Sequence, residues 1–256
     1  MTRRHLSFTC EGSVLIGTID VAENSTGLLL VSGGNELRSG AWAGQAQFAA
    51  AIAANGFPVF RFDRRGVGDS GGPNAEFRTN GPDIAAALAA FREAAPHLTR
   101  IVALGNCDAA SALMLSRGAG CDALILSNPW TIEGAEDAPA PEVLRDHYKR
   151  RLASPEALKR LLTGQVPIGK LVRSLVSALR PASAPTSLAQ DMARGITGFA
   201  GEVRILIAER DATAVAFLSA WDKSDQRIRR CAEASHSYVE PGARAWLERQ
   251  VLEVLR

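Results

Sequence analysis

The amino-acid sequence predicts an α/β fold, with a mostly parallel sheet of about eight strands that is flanked by helices and carries a helical insertion. Short apolar runs alternate with helical segments between residues 27 and 126. The alternation stops near residue 130, where only helical segments follow, and it returns at residue 203. Alternating strands and helices form parallel sheets covered on both faces. We therefore expect the ligand site at the carboxyl ends of the strands.

The first half of the chain opens with two strand-like segments around Glu11-Gly12, which predict an antiparallel hairpin. After the hairpin, segments whose apolar residues recur at helical spacing alternate with continuous apolar runs. Pro82 suits the first turn of the helix that it is predicted to begin. The predicted elements are strands 6–10, 13–21 and 27–31, helix 42–54, strand 57–62, helix 82–94, strand 101–104, helix 109–117 and strand 123–126. This order is that of a parallel sheet preceded by a hairpin.

Residues 131–200 predict a helical cap inserted into a core made of residues 1–130 and 201–256. Helical pieces at 142–152, 155–162 and 168–179 follow one another, with no convincing strand. From Glu142 to Arg194 the chain has ten Lys or Arg and four acids. We interpret this excess either as a solvated helix face or as a basic lid that favours an anionic substrate group. After the cap the sequence predicts strand 203–208, helix 212–223, strand 228–232 and helix 241–255.

Composition and charge exclude several classes of protein. The chain has 256 residues, 46% of them hydrophobic, and a net charge of +2, so nothing points to nucleic acid as a partner. No apolar run is long enough to span a membrane or to form a signal-peptide core, which predicts a cytoplasmic protein. The four cysteines lack metal-ligand spacing, so we expect no metal and no cofactor. Cys10, Cys121 and Cys231 border apolar runs and are interpreted as reduced core residues.

The fourth cysteine occupies a different position, in Gly105-Asn106-Cys107-Asp108-Ala109. An apolar strand precedes this sequence and an Ala- and Leu-rich helix follows it, so Cys107 lies at the apex of a strand-to-helix turn. Such a turn pushes the side chain outward and points the neighbouring amides along the helix dipole. The alternative is one more buried cysteine. We interpret Cys107 as a nucleophile. A free thiol is mostly protonated at pH 7, so a cysteine nucleophile needs a base or an electropositive setting to form the thiolate.

Asp211 and His236 are the predicted partners of this thiol. Asp211 follows an apolar strand, and His236 follows the last short strand, directly before the closing helix. His236 would act as the base, and Asp211 would hold the imidazole in one tautomer and stabilise its cation. Glu209 and Asp108 are competing acids.

Backbone amides are the predicted stabilisers of a developing oxyanion. The first is the N–H of Asp108, and the second comes from the loop Ser32-Gly33-Gly34-Asn35, where either Gly34 or Asn35 is the donor. Neither this loop nor the glycine-rich segment after Asp63 has the pattern of a phosphate-binding loop. We expect Asp63 to brace its own turn.

The chain resembles the α/β-hydrolase superfamily along nearly its whole length. The segment Asp63-Arg64-Arg65-Gly66-Val67-Gly68-Asp69-Ser70 is similar to a glycine loop common in that superfamily. More narrowly, the combination of residues 31–40 (Val31-Ser32-Gly33-Gly34-Asn35-Glu36-Leu37-Arg38-Ser39-Gly40), Phe62 to Gly71 and Gly105-Asn106-Cys107-Asp108-Ala109-Ala110-Ser111 is similar to the exosortase A system-associated hydrolase 1 group, bacterial proteins encoded near exopolysaccharide and protein-sorting systems. The resemblance implies the α/β-hydrolase fold and a Cys107, Asp211, His236 triad, in the nucleophile, acid, histidine order of the fold.

Two departures from the superfamily pattern bear on activity. Ala109 stands where glycine is usual, and it is small enough to be tolerated. The cysteine nucleophile resembles that of dienelactone hydrolases, and it argues against ordinary lipase or peptidase activity. We therefore expect hydrolysis of an ester or thioester of a small-molecule acyl substrate. An acyltransferase and a non-catalytic binding protein are the alternatives, and the oligomeric state, a homodimer included, is left open.

Overall fold

A central sheet of eight strands organises the residues that the computed structural model describes, which are 2–74, 76–133 and 186–256. The strand order is β1-β2-β4-β3-β5-β6-β7-β8. In chain order the strands are β1 (Thr2–Cys10), β2 (Ser13–Val21), β3 (Thr26–Val31), β4 (Val59–Phe62), β5 (Arg100–Asn106), β6 (Ala123–Ser127), β7 (Glu202–Ala208) and β8 (Ile228–Cys231).

The pairing of the strands confirms the predicted fold class. The hairpin β1–β2 joins the sheet through the antiparallel pair β2–β4, and all later neighbours, from β4–β3 to β7–β8, are parallel. Strands β5 and β6 are buried along nearly their whole length. Their continuous apolar sequences follow from this burial, because a parallel strand in the middle of such a sheet has no solvent-facing side.

Helices cover both faces of this sheet. They are α1 (Gly44–Ala54), α2 (Gly81–Ala94), α3 (Asp108–Leu115), α4 (Ser187–Thr197), α5 (Ala212–Ala220) and α6 (Pro241–Leu255). Residues of α2, α3, α4 and α5 share one core cluster with Leu29 and Ala103 of the sheet, whereas α1 and α6 share another with Leu28 and Val102. Neighbouring strand residues therefore face opposite layers, as the two-residue period of a strand requires.

Several predicted helix boundaries differ from the observed ones by one to three residues, and two of the differences have a visible local basis. Helix α1 begins at Gly44 rather than at Trp42, because Trp42 and Ala43 have positive φ angles of 52° and 56° that no helix accepts. Helix α5 ends at Ala220, since Trp221 is extended and its indole N–H donates to Asp225 at 2.9 Å. The observed helix thus ends three residues before the predicted position, Lys223.

Most of the predicted cap, together with its three helical pieces and most of its basic residues, lies outside the described residues, in 134–185. The division into core and cap stays a prediction. Helix α4 falls inside the range predicted for the cap, and it packs on α3 through Leu188, Met192 and Ile196, which belong to the same apolar cluster. This helix therefore supports the turn that carries Cys107.

The three cysteines interpreted as core residues are buried and free. Burial raises the pKa of Cys10 to about 11 and that of Cys121 to about 12. The Cys10 and Cys121 thiols therefore stay protonated at neutral pH, and the burial of all three side chains confirms the core prediction.

Glycine at position 195 sets how closely α4 approaches α3. A Cβ there would lie 1.9 Å from the carbonyl oxygen of Met114, so Gly195→Ala must push the two helices apart. We expect a loss of about 1–3 kcal/mol of stability, although alanine is the better helix former by roughly 1 kcal/mol. The measurement is the Tm in thermal unfolding.

Gly198→Ala is the matched control. Position 198 has φ of −85°, and its nearest atom to an added Cβ lies 3.8 Å away. It should leave the Tm unchanged or raise it. An equal Tm for the two variants contradicts the close helix packing.

Candidate active site

Cys107 lies at a sharp turn between β5 and α3. Its φ of 61° and ψ of −129° are unusual for a residue with a side chain, and its N–H donates to the Ser127 carbonyl of β6 at 3.0 Å. Gly105 permits the turn, since a Cβ there would lie 2.7 Å from the backbone of Ala109. The predicted strand-to-helix turn is thus present, and its half-buried thiol is presented at the apex.

Asp211 and His236 meet at the same edge of the sheet. Asp211 follows β7 and caps α5, where its Oδ1 accepts the Thr213 N–H at 3.1 Å. Its Oδ2 is 2.8 Å from Nδ1 of His236. The carboxylate is 7% exposed. Of the competing acids, Glu209 lies against Arg230 at 3.7 Å, and Asp108 is bonded to the Gly34 loop. The carboxylate bonded to the imidazole is that of Asp211.

The charge state of His236 follows from these neighbours. The hydrogen bond with Asp211 and that with Cys107 raise the pKa of the imidazole to about 10, against the opposing effect of burial. The ring is therefore an imidazolium at neutral pH. The structure brings together Cys107, His236 and Asp211, which lie at widely separated positions in the sequence.

Two asparagines that sequence analysis did not single out hold the backbone of the histidine. The carbonyl oxygen of His236 accepts from Nδ2 of Asn106 at 3.2 Å and from Nδ2 of Asn128 at 3.4 Å. Asn128 also donates to Oδ1 of Asn106 at 3.1 Å and accepts the Ala208 N–H at 2.8 Å. We call Asn106 and Asn128 the amide clamp. Their signal in the sequence is an asparagine at the carboxyl end of each of two successive strands.

A buried tyrosine fixes the same loop from the other side. The Tyr238 hydroxyl is 3.0 Å from Oγ of Ser127, and its ring stacks on Trp246 of α6 with centroids 6.1 Å apart. Tyr238 is 3% exposed. The histidine loop is thus tied to both the sheet and the closing helix.

The loop predicted to supply the second oxyanion donor contacts Asp108. The Gly34 N–H donates to Oδ1 of Asp108 at 2.7 Å, and a Cβ on Gly33 would come within 2.5 Å of that oxygen. In this conformation the Gly34 amide is bonded to a carboxylate. The N–H of Asn35 has no hydrogen-bond acceptor within residues 2–74, 76–133 and 186–256.

The glycine loop after β4 has a structural role. Asp63 is fully buried and accepts hydrogen bonds from the Asp69 N–H at 3.2 Å and from the backbone and guanidinium of Arg38. Arg65 donates to Asp83 at 2.5 Å and pairs with Glu11. Asp63 therefore braces its turn, as predicted.

An open cavity of about 480 Å³ lies beside Asp108, the residue that follows Cys107. It is lined by Gly34 and Asp108 together with Asn35, Arg64, Asn74, Glu76 and Phe77. A second depression, of about 510 Å³, lies between α4 and residues 220–227. Neither space is lined by Cys107, Asp211 or His236 themselves, but the first is lined by Asp108, which directly follows Cys107, and is therefore the nearer of the two in sequence to the turn at Cys107.

Within the described part of the chain, no cluster of three or more His, Cys, Asp or Glu side chains could hold a metal ion. No helix in that part is sufficiently long and apolar to cross a membrane.

Comparisons with known proteins agree with this architecture. The model of the Alpha/beta hydrolase family matches residues 28–250. Among solved structures, an esterase from Pyrococcus furiosus has 14% identity and a TM-score of 0.66, covering 99% of this chain and 90% of its own. An alpha/beta hydrolase from Penicillium has 16% identity and a TM-score of 0.64, covering 100% and 98%. The enol-lactonase from Burkholderia xenovorans has 17% identity and a TM-score of 0.60, covering 98% and 99%. No curated protein matches the sequence.

The raised pKa of His236 predicts a pH-dependent contribution to stability. The folded protein holds this proton more tightly than the unfolded chain, because the pKa rises from 6.5 to about 10 on folding. The contribution is therefore complete below about pH 6.5 and is lost as the pH rises towards 10. We expect the Tm difference between the wild type and Asp211→Asn to be largest near pH 6 and to shrink by pH 10. A difference that does not change with pH contradicts this coupling.

The amide clamp predicts that Asn106 controls the reactivity of Cys107 through the position of His236. Asn106→Ala removes one of the two donors to the His236 carbonyl, so we expect iodoacetamide to alkylate Cys107 up to about tenfold more slowly at pH 7, as the loss of one hydrogen bond allows. Asn24→Ala is the control, because it makes the same substitution at an exposed position outside this site. It also removes a side-chain hydrogen bond, the one that Asn24 accepts from the Thr26 N–H. Equal alkylation rates in the two variants exclude a positioning role.

Proposed function

This chain belongs to the Alpha/beta hydrolase family, and from that premise we propose that it cleaves carboxylic ester or thioester bonds of a small or medium acyl substrate. The observation that carries the proposal is the 2.8 Å contact between His236 and Asp211, beside a thiol presented at a strained turn. A nucleophile, a base and a group that orients the base form the arrangement that covalent acyl transfer requires.

In the first step Cys107 acts as a thiolate paired with the His236 imidazolium. An adjacent cation is the setting in which a cysteine becomes a good nucleophile. The sulfur attacks the acyl carbonyl, the tetrahedral intermediate collapses, and the bond to the leaving alcohol or thiol breaks. The proton on His236 goes to the leaving group, so the step ends with a thioester on Cys107 and a neutral imidazole.

In the second step water releases the acyl group. The neutral His236 takes a proton from water, the hydroxide attacks the thioester carbonyl, and the carbon–sulfur bond breaks to give the acid and the thiolate. Asp211 stabilises the imidazolium that forms again and keeps the ring oriented. The site thus returns to its starting charge state.

The oxyanion formed in both steps needs backbone donors. The N–H of Asp108 follows the nucleophile and is the first proposed donor. Because the Gly34 N–H is bonded to the Asp108 carboxylate, we propose the N–H of Asn35 as the second. Gly34 becomes available only if that carboxylate moves.

We also keep the narrower similarity to the bacterial exosortase A system-associated hydrolase 1 group as a proposal. It is supported by the motifs around Gly34, Asp63 and Cys107. A cytoplasmic setting is proposed on the free thiols, since reducing compartments keep cysteines unpaired.

The triad proposal is tested with 4-nitrophenyl acetate and a short acyl thioester. We expect Cys107→Ala and His236→Ala to lower kcat by about 10³-fold or more. The two residues act as a unit, so removing either one removes most of the rate acceleration that covalent catalysis provides. Asp211→Asn should lose less, since thiol and imidazole both remain. The measurement is initial-rate kinetics, with the Tm recorded to show that each variant is folded.

His97→Ala is the matched control, because His97 is exposed on the segment after α2. It should retain the wild-type rate. Near wild-type turnover by Cys107→Ala contradicts the cysteine nucleophile, and an acceptor alcohol that captures most of the acyl product identifies an acyltransferase instead.

A further inference from the structure

The cavity beside the nucleophile turn is lined mainly by hydrogen-bonding side chains. Among the described residues that line it, two carboxylates, one guanidinium and two carboxamides face the cavity, and Phe77 is the single large apolar group. Arg64 is 7% exposed, Asp108 is half-buried, and Asn35, Asn74 and Glu76 are exposed. A hydrocarbon chain placed here would strip water from these groups and give no hydrogen bonds in return, which is costly.

The polar groups are organised by bonds among themselves. Oδ1 of Asn35 accepts from Nδ2 of Asn74 at 2.8 Å and from Arg64 at 3.4 Å. Because the oxygen of Asn35 is engaged, the amide of that side chain is left as a donor. The backbone of Asn74 packs directly against Gly66, where a Cβ would lie 2.4 Å from the backbone nitrogen of Asn74. The glycine therefore lets Asn74 approach the other polar groups of the cavity.

The hydrogen-bond acceptors of the cavity are the carboxylates of Asp108, in α3, and Glu76, in the loop before α2. Asp108 uses Oδ1 for the Gly34 N–H, and its Oδ2 has no hydrogen-bond partner in the described parts of the chain. Within the same parts, the carboxylate of Glu76 has neither an ion pair nor a hydrogen bond. Both acids therefore have oxygens able to accept from a bound molecule.

The mixture of donors and acceptors decides which chemical group fits. Within the described lining, an anion would face Asp108 and Glu76 with one arginine to offset them, and that arginine already donates to Asn35. A hydroxyl both donates and accepts, so it can donate to either carboxylate while it accepts from the carboxamide of Asn35.

We propose that this cavity binds a hydroxyl-bearing group attached to the reacting carbonyl, on its acyl or its alcohol side, so that the preferred substrates are polar, hydroxylated esters. The inference rests on the proposed hydrolase function. Gly34 and Asp108 belong both to the cavity lining and to the loops around the nucleophile. Asp108 directly follows Cys107, so a group bound in the cavity is placed on the Asp108 side of that thiol.

The test compares two pairs of esters matched in size: propyl butanoate with 2,3-dihydroxypropyl butanoate, and methyl butanoate with methyl 3-hydroxybutanoate. The readout is the ratio of kcat/KM within each pair, followed by acid release. We expect at least one hydroxylated ester to be favoured by about tenfold, the effect of one net hydrogen bond to a charged group.

Two variants assign the preference to this cavity. Asp108→Asn keeps an oxygen that can accept the Gly34 N–H, and Glu76→Gln lies at an exposed position, so at least the second is expected to fold. Each should bring the ratio towards one. Glu93→Gln is the matched control, because it makes the same change of charge on an exposed part of α2, and its ratio should equal that of the wild type.

The outcomes separate this inference from the hydrolase proposal. Turnover of the alkyl esters with no preference for either hydroxylated one overturns the inference and leaves the hydrolase intact. A preference that survives both variants, or a larger preference for monomethyl succinate, also overturns it, the latter in favour of an anion held by Arg64. No turnover of any of these esters, together with no turnover of the activated esters, contradicts both.

Discussion

The parallel pairing of β5, β6 and β7 is the constraint on which the site depends. Parallel strands end at the same edge of a sheet, so the residues that follow them meet even when they are far apart in sequence. Asn106, Asn128 and Asp211 each stand at or just beyond the end of one of these strands. A slip of the β6–β7 register by one residue would turn every side chain of one strand to the opposite face and would separate these groups.

The second constraint is the absence of a side chain where α3 meets β5. Gly105 lets the first turn of α3 approach the strand, and the chain reaches that turn only through the positive φ of Cys107. The energy stored in this conformation is offset by contacts around it. The Cys107 N–H donates to β6, its carbonyl accepts the Ala110 N–H at 3.1 Å, and α4 packs against α3 from outside. A strained residue persists where its surroundings over-determine it.

Local patterns were enough to predict the sheet and the turn at Cys107, and they singled out Asp211 and His236, which lie 2.8 Å apart in the structure. In the sequence, each of these features is an apolar run that is followed by a charged or reactive residue. Asp211, shortly after β7, is an example. The amide clamp was not predicted, because an asparagine after a strand is also an ordinary turn residue and only the three-dimensional pairing shows that Asn106 and Asn128 converge on His236. The bond from Gly34 to Asp108 was missed for the same reason. It joins residues that are 74 positions apart, and no periodicity encodes it.

That bond also shapes how charge is distributed around the nucleophile. On one side of Cys107 lies His236, whose ring is bonded to Asp211, and on the other lies the carboxylate of Asp108, which is bonded to the Gly34 N–H. A negative charge developing on a carbonyl oxygen is favoured by the first and opposed by the second, since like charges repel more strongly in a half-buried site than in water. A substrate group that donates a hydrogen bond to Asp108 spreads the charge of that carboxylate and reduces the repulsion. Under our two proposals, the preference for a hydroxylated ester and the stabilisation of the oxyanion both follow from this one contact, which would account for an acid directly after Cys107.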